Sequence, residues 1–385
     1  MKKTLLVVLL VAAVFNLTTA QVKYENFESA KLNETRQIKI QLPRGYEANN
    51  DKRYPVFIVL DGDYLFEAVA GNVDYFSYWE DMPESIVVGI NQIDSRYDDC
   101  LYSEQNSLPI ETGVAFFEFL GTELLPHIES KYRTTNFRVA VGHGETANFI
   151  NYYLLKPSPL FQGYISVSPQ LAPGMLKYLP ERLSNIDFAK LFYALYNAQY
   201  DDASVKQMTD ALNADIKVFG NNDKLVYTYK TIENGSHYSA PASAIPDALQ
   251  TIFKAFQPIS KTEYKDIILK LDGSPVAYLT EKYDVIKLVY GLDKTILIND
   301  FKAIEAAIEK NQRFEDYEAL SKLAKKHYPD TILGMYYIAR FYEETGEPKK
   351  AMRTYQSAYM MEEMGGITKD IVLEKAEAIK QDFGF

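Results

Sequence analysis

The sequence predicts an α/β fold with a mostly parallel central sheet, followed by a small all-helical region. Short β-rich segments alternate with helical patterns over about 230 residues, and this alternation is typical of a parallel sheet. Several of these segments are apolar along their whole length, as strands buried on both faces are. From residue 300 onward only helical patterns remain. Sites in such sheets lie at the carboxyl ends of the strands.

The strand predictions rest on β-branched and aromatic runs, and the helix predictions on apolar residues at helical spacing. The predicted strands cover residues 36–43, 54–60, 85–91, 137–141, 161–168, 191–196 and 225–231. Helices are predicted over residues 114–132 and 147–155. We expect this α/β domain to span residues 21–258.

The pattern changes after residue 258. Residues 259–299 are interpreted as a connecting region, and residues 300–385 as a helical region. Within it, residues 336–359 carry small and aromatic side chains at the offsets of one tetratricopeptide (TPR) unit, with Gly346 at the turn between two helices. A region with about one TPR unit cannot bury its apolar faces alone. We therefore expect this region to pack on the α/β domain.

The first twenty residues have the features of a signal peptide. Lys2 and Lys3 are followed by an apolar run over residues 5–15 and by small residues up to Ala20. The run is too short for a transmembrane helix, which needs about 20 residues. We therefore expect an exported protein, located in the periplasm or at the outer membrane, with no transmembrane segment in the mature chain.

Composition excludes several classes of function. The chain has 385 residues, with 41 Lys and Arg against 52 Asp and Glu, so its net charge is −11. An acidic chain of this kind argues against nucleic acid as a partner. Cys100 is the only cysteine, and the four histidines include no i, i+4 pair, so we expect neither a disulfide nor a metal site, and no cofactor.

A series of short motifs resembles a known family. In chain order the motifs are Gln41-Leu42-Pro43-Arg44-Gly45-Tyr46, Leu60-Asp61-Gly62, Ser95-Arg96-Tyr97-Asp98, Gly163-Tyr164-Ile165-Ser166-Val167-Ser168-Pro169 and Asn234-Gly235-Ser236-His237. Together they resemble the esterase D-like family of α/β-hydrolases, over about residues 22–257. The resemblance implies an α/β-hydrolase fold with an esterase centre. Bacterial members with TPR-like tails fit residues 300–385.

The nucleophile elbow departs from the family pattern. The family places Gly-x-Ser-x-Gly on a sharp strand-to-helix turn, where this chain reads Gly142-His143-Gly144-Glu145-Thr146. Gly144 stands where the serine would be, so no acyl-enzyme can form there. Loss of such a serine costs about 10⁶ in kcat in a well-studied protease. The family comparison thus indicates a pseudoenzyme, with His143 packed beneath the loop.

The remaining triad positions stay partly open. The resemblance assigns the catalytic histidine to His237, whereas the acid is expected after the strand that ends at Tyr196. Gln199 is one candidate for the acid's place, and Asp201 or Asp202 are the alternatives. An amide cannot stabilise imidazolium as a carboxylate does.

Two further groups of residues are candidates for chemistry at this site. Glu145 and His237 together are an alternative base for activating a water molecule. Asp61, Gly62 and Asp63 lie in the segment that resembles the oxyanion loop, where carboxylates would repel an oxyanion unless they turn away, so we interpret them as turn residues.

We therefore predict a catalytically degenerate esterase-like protein that acts as a binding or assembly subunit with protein partners in the cell envelope. One alternative is an active hydrolase of an acylated carbohydrate or a siderophore-like ester. Another is a carbohydrate-binding protein. Trp79, in an aromatic run over residues 75–79, is a candidate for sugar stacking or a partner surface, with core packing as the other interpretation.

Overall fold

The computed structural model describes residues 22–186, 190–218 and 222–385. The predicted signal peptide, residues 1–20, lies outside the described residues. The chain divides into two compact units. The first runs to Lys254 and includes Val289–Leu292, and the second comprises Ala255–Leu288 and Asp293–Phe385.

The first unit contains one eight-stranded sheet. Its strands are β1 Val22–Ser29, β2 Glu34–Gln41, β3 Tyr54–Val59, β4 Ile86–Ile90, β5 Thr134–His143, β6 Gly163–Val167, β7 Leu191–Tyr200 and β8 Leu225–Ser236. Their order is β1-β2-β4-β3-β5-β6-β7-β8. β1 pairs with β2 and β2 with β4 in antiparallel fashion, and every other pairing is parallel.

Helices follow most of the parallel strands. In the first unit they are α1 Phe66–Tyr78, α2 Arg96–Asp99, α3 Glu111–Glu118, α4 Leu125–Lys131, α5 Glu145–Phe149, α6 Asn151–Leu154, α7 Met175–Ser184, α8 Ala203–Val218 and α9 Ala240–Ile252. A π-helical segment, Phe119–Leu124, joins α3 to α4, so the predicted helix over residues 114–132 is continuous but locally underwound.

The predicted strands are all present, and β1 was missed. β3, β4 and β6 are buried along their whole length, which explains their unbroken apolar sequence. β1 has mostly half-exposed or exposed residues and pairs only with β2, so it lacks an apolar pattern. The helix predicted from residue 147 begins two residues earlier, at Glu145.

The second unit is helical. Its helices are α10 Lys261–Asp266, α11 Pro275–Tyr290, α12 Ile298–Lys310, α13 Asp316–His327, α14 Ile332–Glu344, α15 Pro348–Ala358 and α16 Lys369–Phe383; the last two residues of α11 belong to the first unit. The segment interpreted as a connection therefore contains α10 and α11. Gly346 has φ 81° at the turn between α14 and α15. Among the described residues, none of the helices is long and apolar enough to cross a membrane.

Candidate active site

A sharp turn at the carboxyl end of β5 forms the centre of the site. β5 ends at His143, α5 begins at Glu145, and Gly144 between them has φ 62° and ψ −117°. This backbone conformation is strained for any residue with a side chain. At Gly142 a Cβ atom would lie 2.6 Å from the backbone of Thr146, so glycine is needed there for close approach. The predicted elbow therefore lies at the strand-to-helix turn.

A histidine and a carboxylate are hydrogen bonded beside this turn. Nδ1 of His237 lies 2.8 Å from Oδ1 of Asp201. The other oxygen, Oδ2, accepts hydrogen bonds from Oγ of Ser168 at 2.7 Å and from the Ala198 amide at 2.6 Å. Ser168 has φ 46°, an unfavourable conformation for serine that places its hydroxyl on the carboxylate. The pair has the geometry of the acid and base of a catalytic triad.

The other two candidates for the acid, Gln199 and Asp202, do not contact His237 in the described hydrogen bonds. Oε1 of Gln199 accepts a hydrogen bond from the Asn234 amide at 2.7 Å and so holds the loop that carries His237. Asp202 is exposed and lines the neighbouring cleft. Sequence reasoning could not choose among the three residues because a difference of one or two positions in a loop decides which side chain points inward.

Position 144 faces the histidine. A Cβ atom on residue 144 would lie 3.4 Å from Nε2 of His237 and 3.1 Å from Nη2 of Arg96. A side chain there would therefore project between the imidazole and the guanidinium. This is where a nucleophile would lie, and glycine supplies none.

Arg96 is held by a network of acceptors. Its Nε donates to Oδ1 of Asp61 at 2.6 Å, Nη1 to Oε2 of Glu145 at 2.9 Å, and Nη2 to the carbonyl of His143 at 2.7 Å. Burial alone would lower the pKa of this guanidinium, but the hydrogen bonds and charge of Asp61 outweigh burial and raise its pKa. The sequence predicts no separate role for Arg96, because the partners of its guanidinium come from segments that are distant in the chain.

The two carboxylates of the predicted oxyanion loop are held by hydrogen bonds, and Asp61 binds the elbow itself through Thr146 and Arg96. Asp61 is buried and bound to Arg96, while Asp63 accepts a hydrogen bond from the Gln92 amide at 2.6 Å. The Gly62 amide donates to the Ile90 carbonyl at 2.7 Å. These contacts fit turn residues at the end of β3 rather than groups that would repel a ligand.

His143 is buried behind the turn. Its Nδ1 lies 2.9 Å from the Tyr64 hydroxyl, and its Nε2 lies 3.0 Å from the carbonyl of His237. Burial and the neighbouring His237 lower the pKa of His143 to about 4, so this imidazole is neutral at neutral pH. Thr146 accepts a hydrogen bond from the His143 amide at 2.9 Å and donates to Asp61 at 2.6 Å, so it braces the turn.

A cleft of about 510 Å³ opens beside Glu145. Apolar side chains line part of the cleft and carboxylates line another part, and no lysine or arginine is among its lining residues. The lining residues are Tyr97, Cys100, Leu101, Tyr102, Glu104, Glu145, Asn148, Gln170, Leu171, Asp202, Ser204, Val205 and Met208. The Glu145 carboxylate is paired with Arg96, which argues against Glu145 as the base for a water molecule.

Trp79 lies outside the core. Its exposed fraction is 60%, and Tyr75 and Tyr78 are similarly exposed, so the core-packing interpretation is wrong. The three rings form an aromatic surface at the end of α1. Within the described residues, no group of three or more His, Cys, Asp and Glu side chains is placed to hold a metal ion.

The comparison with protein families decides the family. Residues 29–237 match the family described as "Putative esterase". The chain belongs to this esterase family. Its eight-stranded, mostly parallel sheet is that of an α/β-hydrolase, so the predicted esterase-like fold is confirmed. No curated protein matches the chain.

Solved structures extend the likeness beyond the esterase domain. An uncharacterised protein from Capnocytophaga ochracea is 29% identical in sequence and superposes with a TM-score of 0.85. The match covers 94% of this chain and 100% of that chain. An IroE-like serine hydrolase from Shewanella oneidensis shares the fold at 22% identity and a TM-score of 0.58, over 80% of this chain and 99% of that chain.

Proposed function

We propose that this esterase-family chain is an exported binding or assembly protein of the cell envelope that has lost the serine esterase reaction. The observation that carries the proposal is Gly144 at the elbow. The residue that faces Nε2 of His237 has no side chain, so it cannot form the acyl-enzyme on which a serine esterase depends.

The surroundings of Gly144 support this proposal. Nη2 of Arg96 lies 3.1 Å from the point where a Cβ on residue 144 would be, and its three acceptors, on Asp61, Glu145 and His143, hold it there. A guanidinium with this many partners stabilises the turn as it stands.

Two surfaces are proposed to bind the partner. The cleft beside Glu145 combines apolar, aromatic and carboxylate side chains, and Tyr97 at its edge is 71% exposed. The aromatic surface of Tyr75, Tyr78 and Trp79 is the second. Aromatic side chains of this kind suit an envelope protein or a glycan. We also propose that α14 and α15 form a TPR-like pair, with Gly346 at their turn.

Labelling with a fluorophosphonate tests the loss of the serine reaction. We expect no covalent adduct on the mature protein, measured by intact mass, while an active serine hydrolase in the same tube is labelled. An adduct that maps to the site and disappears in His237→Ala would contradict the proposal.

Capture from the native envelope and a glycan array test the binding role. We expect a retained envelope protein whose recovery falls when Tyr97 and Trp79 are replaced by alanine, separately. A glycan hit that depends on the same residues would favour the carbohydrate-binding alternative. If neither experiment finds a ligand that depends on these residues, the binding proposal fails.

A further inference from the structure

We propose that the Asp201–His237 pair is a working general base that activates water in place of a serine, so that this protein hydrolyses esters in a single displacement. This activity goes beyond the proposed binding role and does not require it. The inference starts from the pair itself, which is fully assembled although the nucleophile position holds glycine.

The pair is built at a cost to the fold. The Asp201 side chain is 0% exposed, and a buried carboxylate is unfavourable unless several donors satisfy it. It has three: the His237 ring, the Ser168 hydroxyl and the Ala198 amide. Ser168 reaches it only with a positive φ. Strained backbone conformations of this kind cluster at sites that perform chemistry.

The orientation of the ring leaves its other nitrogen available. Because Nδ1–H donates to the Asp201 carboxylate, neutral His237 presents an unprotonated Nε2. Nε2 is directed at position 144, where a Cβ would lie 3.4 Å away. Since glycine carries no Cβ, no side chain of residue 144 stands in front of Nε2, and we place the attacking water within hydrogen-bond distance of this nitrogen, beside the turn.

The same turn offers stabilisation for an oxyanion. Glu145 is the first residue of α5, so its amide has no hydrogen-bond partner within the helix, and we propose that this amide donates to the oxyanion. Nη2 of Arg96 also lies next to position 144, while the Asp61 and Glu145 carboxylates that bind this guanidinium compensate its charge. Donors of this kind stabilise the charge that develops in acyl transfer.

The proposed reaction is a single displacement at the ester carbonyl. The water oxygen attacks the ester carbonyl carbon while Nε2 of His237 takes one water proton. The tetrahedral oxyanion then collapses, the bond from the acyl carbon to the alcohol oxygen breaks, and the imidazolium returns the proton to the leaving alcohol. The products are a carboxylic acid and an alcohol, and no bond to the protein forms at any stage.

If the substrate occupies the cleft beside Glu145, the carboxylates of this cleft favour neutral or cationic esters over anionic ones. Glu104, Glu145 and Asp202 line it, and no lysine or arginine does. An anionic ester would meet a field of its own sign. p-Nitrophenyl acetate, a small neutral ester, is therefore the probe of choice.

The test compares initial rates of p-nitrophenyl acetate hydrolysis by the mature protein and four variants. We expect His237→Ala and Asp201→Asn to lower kcat/KM by about 10²-fold or more, since general base catalysis contributes about 10²–10⁴-fold. Gly144→Ala should lower it similarly, because its Cβ, 3.4 Å from Nε2, crowds the space beside the ring that the water needs. The matched control is His127→Ala: His127 also pairs with a carboxylate, Glu25, at 2.7 Å, but lies on α4, away from the elbow. The His127→Ala variant should hydrolyse the ester at the rate of the parent.

Three outcomes would overturn the inference. If the parent hydrolyses the ester no faster than His237→Ala, then His237 does not act as a general base. An acyl adduct detected by intact mass during turnover, or inhibition by a fluorophosphonate, means that a protein nucleophile acts. If Gly144→Ala keeps full activity, the attacking water does not lie beside residue 144. Should Gly144→Ala fail to fold, Asp201→Asn and His237→Ala still decide the matter, since neither position has a positive φ. Loss of hydrolysis leaves the capture and glycan experiments untouched, so the two proposals fail separately.

Discussion

Oδ1 of Asp201 lies 2.8 Å from Nδ1 of His237, although the residue that faces this pair is a glycine. A carboxylate and an imidazole with the geometry of the acid and base of a triad thus lie beside a residue that has no side chain. This relationship changes what a single substitution at residue 144 is expected to do, because the carboxylate that orients the histidine does not have to be rebuilt.

Gly144→Ser should restore covalent reactivity at a cost in stability. The new Cβ lies 3.4 Å from Nε2 of His237, which suits a serine hydroxyl and its base, so we expect labelling by a fluorophosphonate. The positive φ should cost about 1–3 kcal/mol, and each kcal/mol lowers Tm by roughly 2–4 °C in a domain of this size. A melting curve and intact mass after labelling measure both effects.

The control for this variant is Gly144→Ser combined with His237→Ala, which should melt low but remain unlabelled. A serine variant that melts like the parent would disprove the strain at the elbow. One that is stable enough to fold but not labelled would show that Arg96, 3.1 Å from the Cβ position, prevents the hydroxyl from reaching the base.

His143 should make the fold less stable in mild acid. Its pKa is about 4 in the folded protein against 6.5 without burial, so between these values only the unfolded chain binds the proton. Stability from this group is therefore complete above about pH 6.5 and is lost as the pH falls toward 4, by at most about 3 kcal/mol.

Urea unfolding of the parent and of His143→Gln at about pH 7.5 and about pH 4.5 measures this term. Carboxylates contribute to the pH dependence of both proteins, so the informative quantity is the difference between them. We expect the variant to lose less stability on acidification. An equal loss would mean that His143 is protonated in the folded state.

Arg96→Met should destabilise the elbow strongly. Removing the guanidinium leaves the buried Asp61 carboxylate without its charged partner, and breaking such a pair costs about 3–5 kcal/mol. Since Arg96 is itself 29% exposed, we expect a value near the lower end. Denaturant midpoints and slopes provide the measurement.

The double variant Asp61→Asn, Arg96→Met tests the cause. It should be more stable than Arg96→Met alone, because the unpaired charge is gone. Strictly additive effects would show that Arg96 contributes through packing and its other acceptors, not through Asp61.

A fragment that begins at residue 296 should not fold cooperatively. Within the second unit, buried Asp300 accepts hydrogen bonds from the Ile259 amide at 2.8 Å and from the Tyr283 hydroxyl at 2.8 Å. Both donors are cut away in this fragment, and a buried carboxylate without donors is unfavourable. Helical signal by circular dichroism should change gradually with temperature, whereas the mature chain should melt sharply. A sharp transition in the fragment would contradict this account.

The sequence by itself determined the central sheet and the place of the elbow. β3 and β6 are apolar throughout because both of their faces are buried, and that pattern is visible without a structure. Gly142 and Gly144 mark the turn, since one permits close approach and the other a positive φ. The sequence does not predict β1, because an edge strand whose faces are exposed has no regular pattern of apolar residues.

Only the tertiary structure decided which side chains meet at the site. Asp201 reaches His237 across 36 positions of sequence, and Arg96 reaches Asp61 across 35. Neighbouring Asp202 has the same chemistry but is exposed, and Trp79 lies on the surface although its aromatic run suited a core equally well. Sequence carries the type of each side chain and its local period, whereas the direction of a loop residue depends on packing against segments that are distant in the chain.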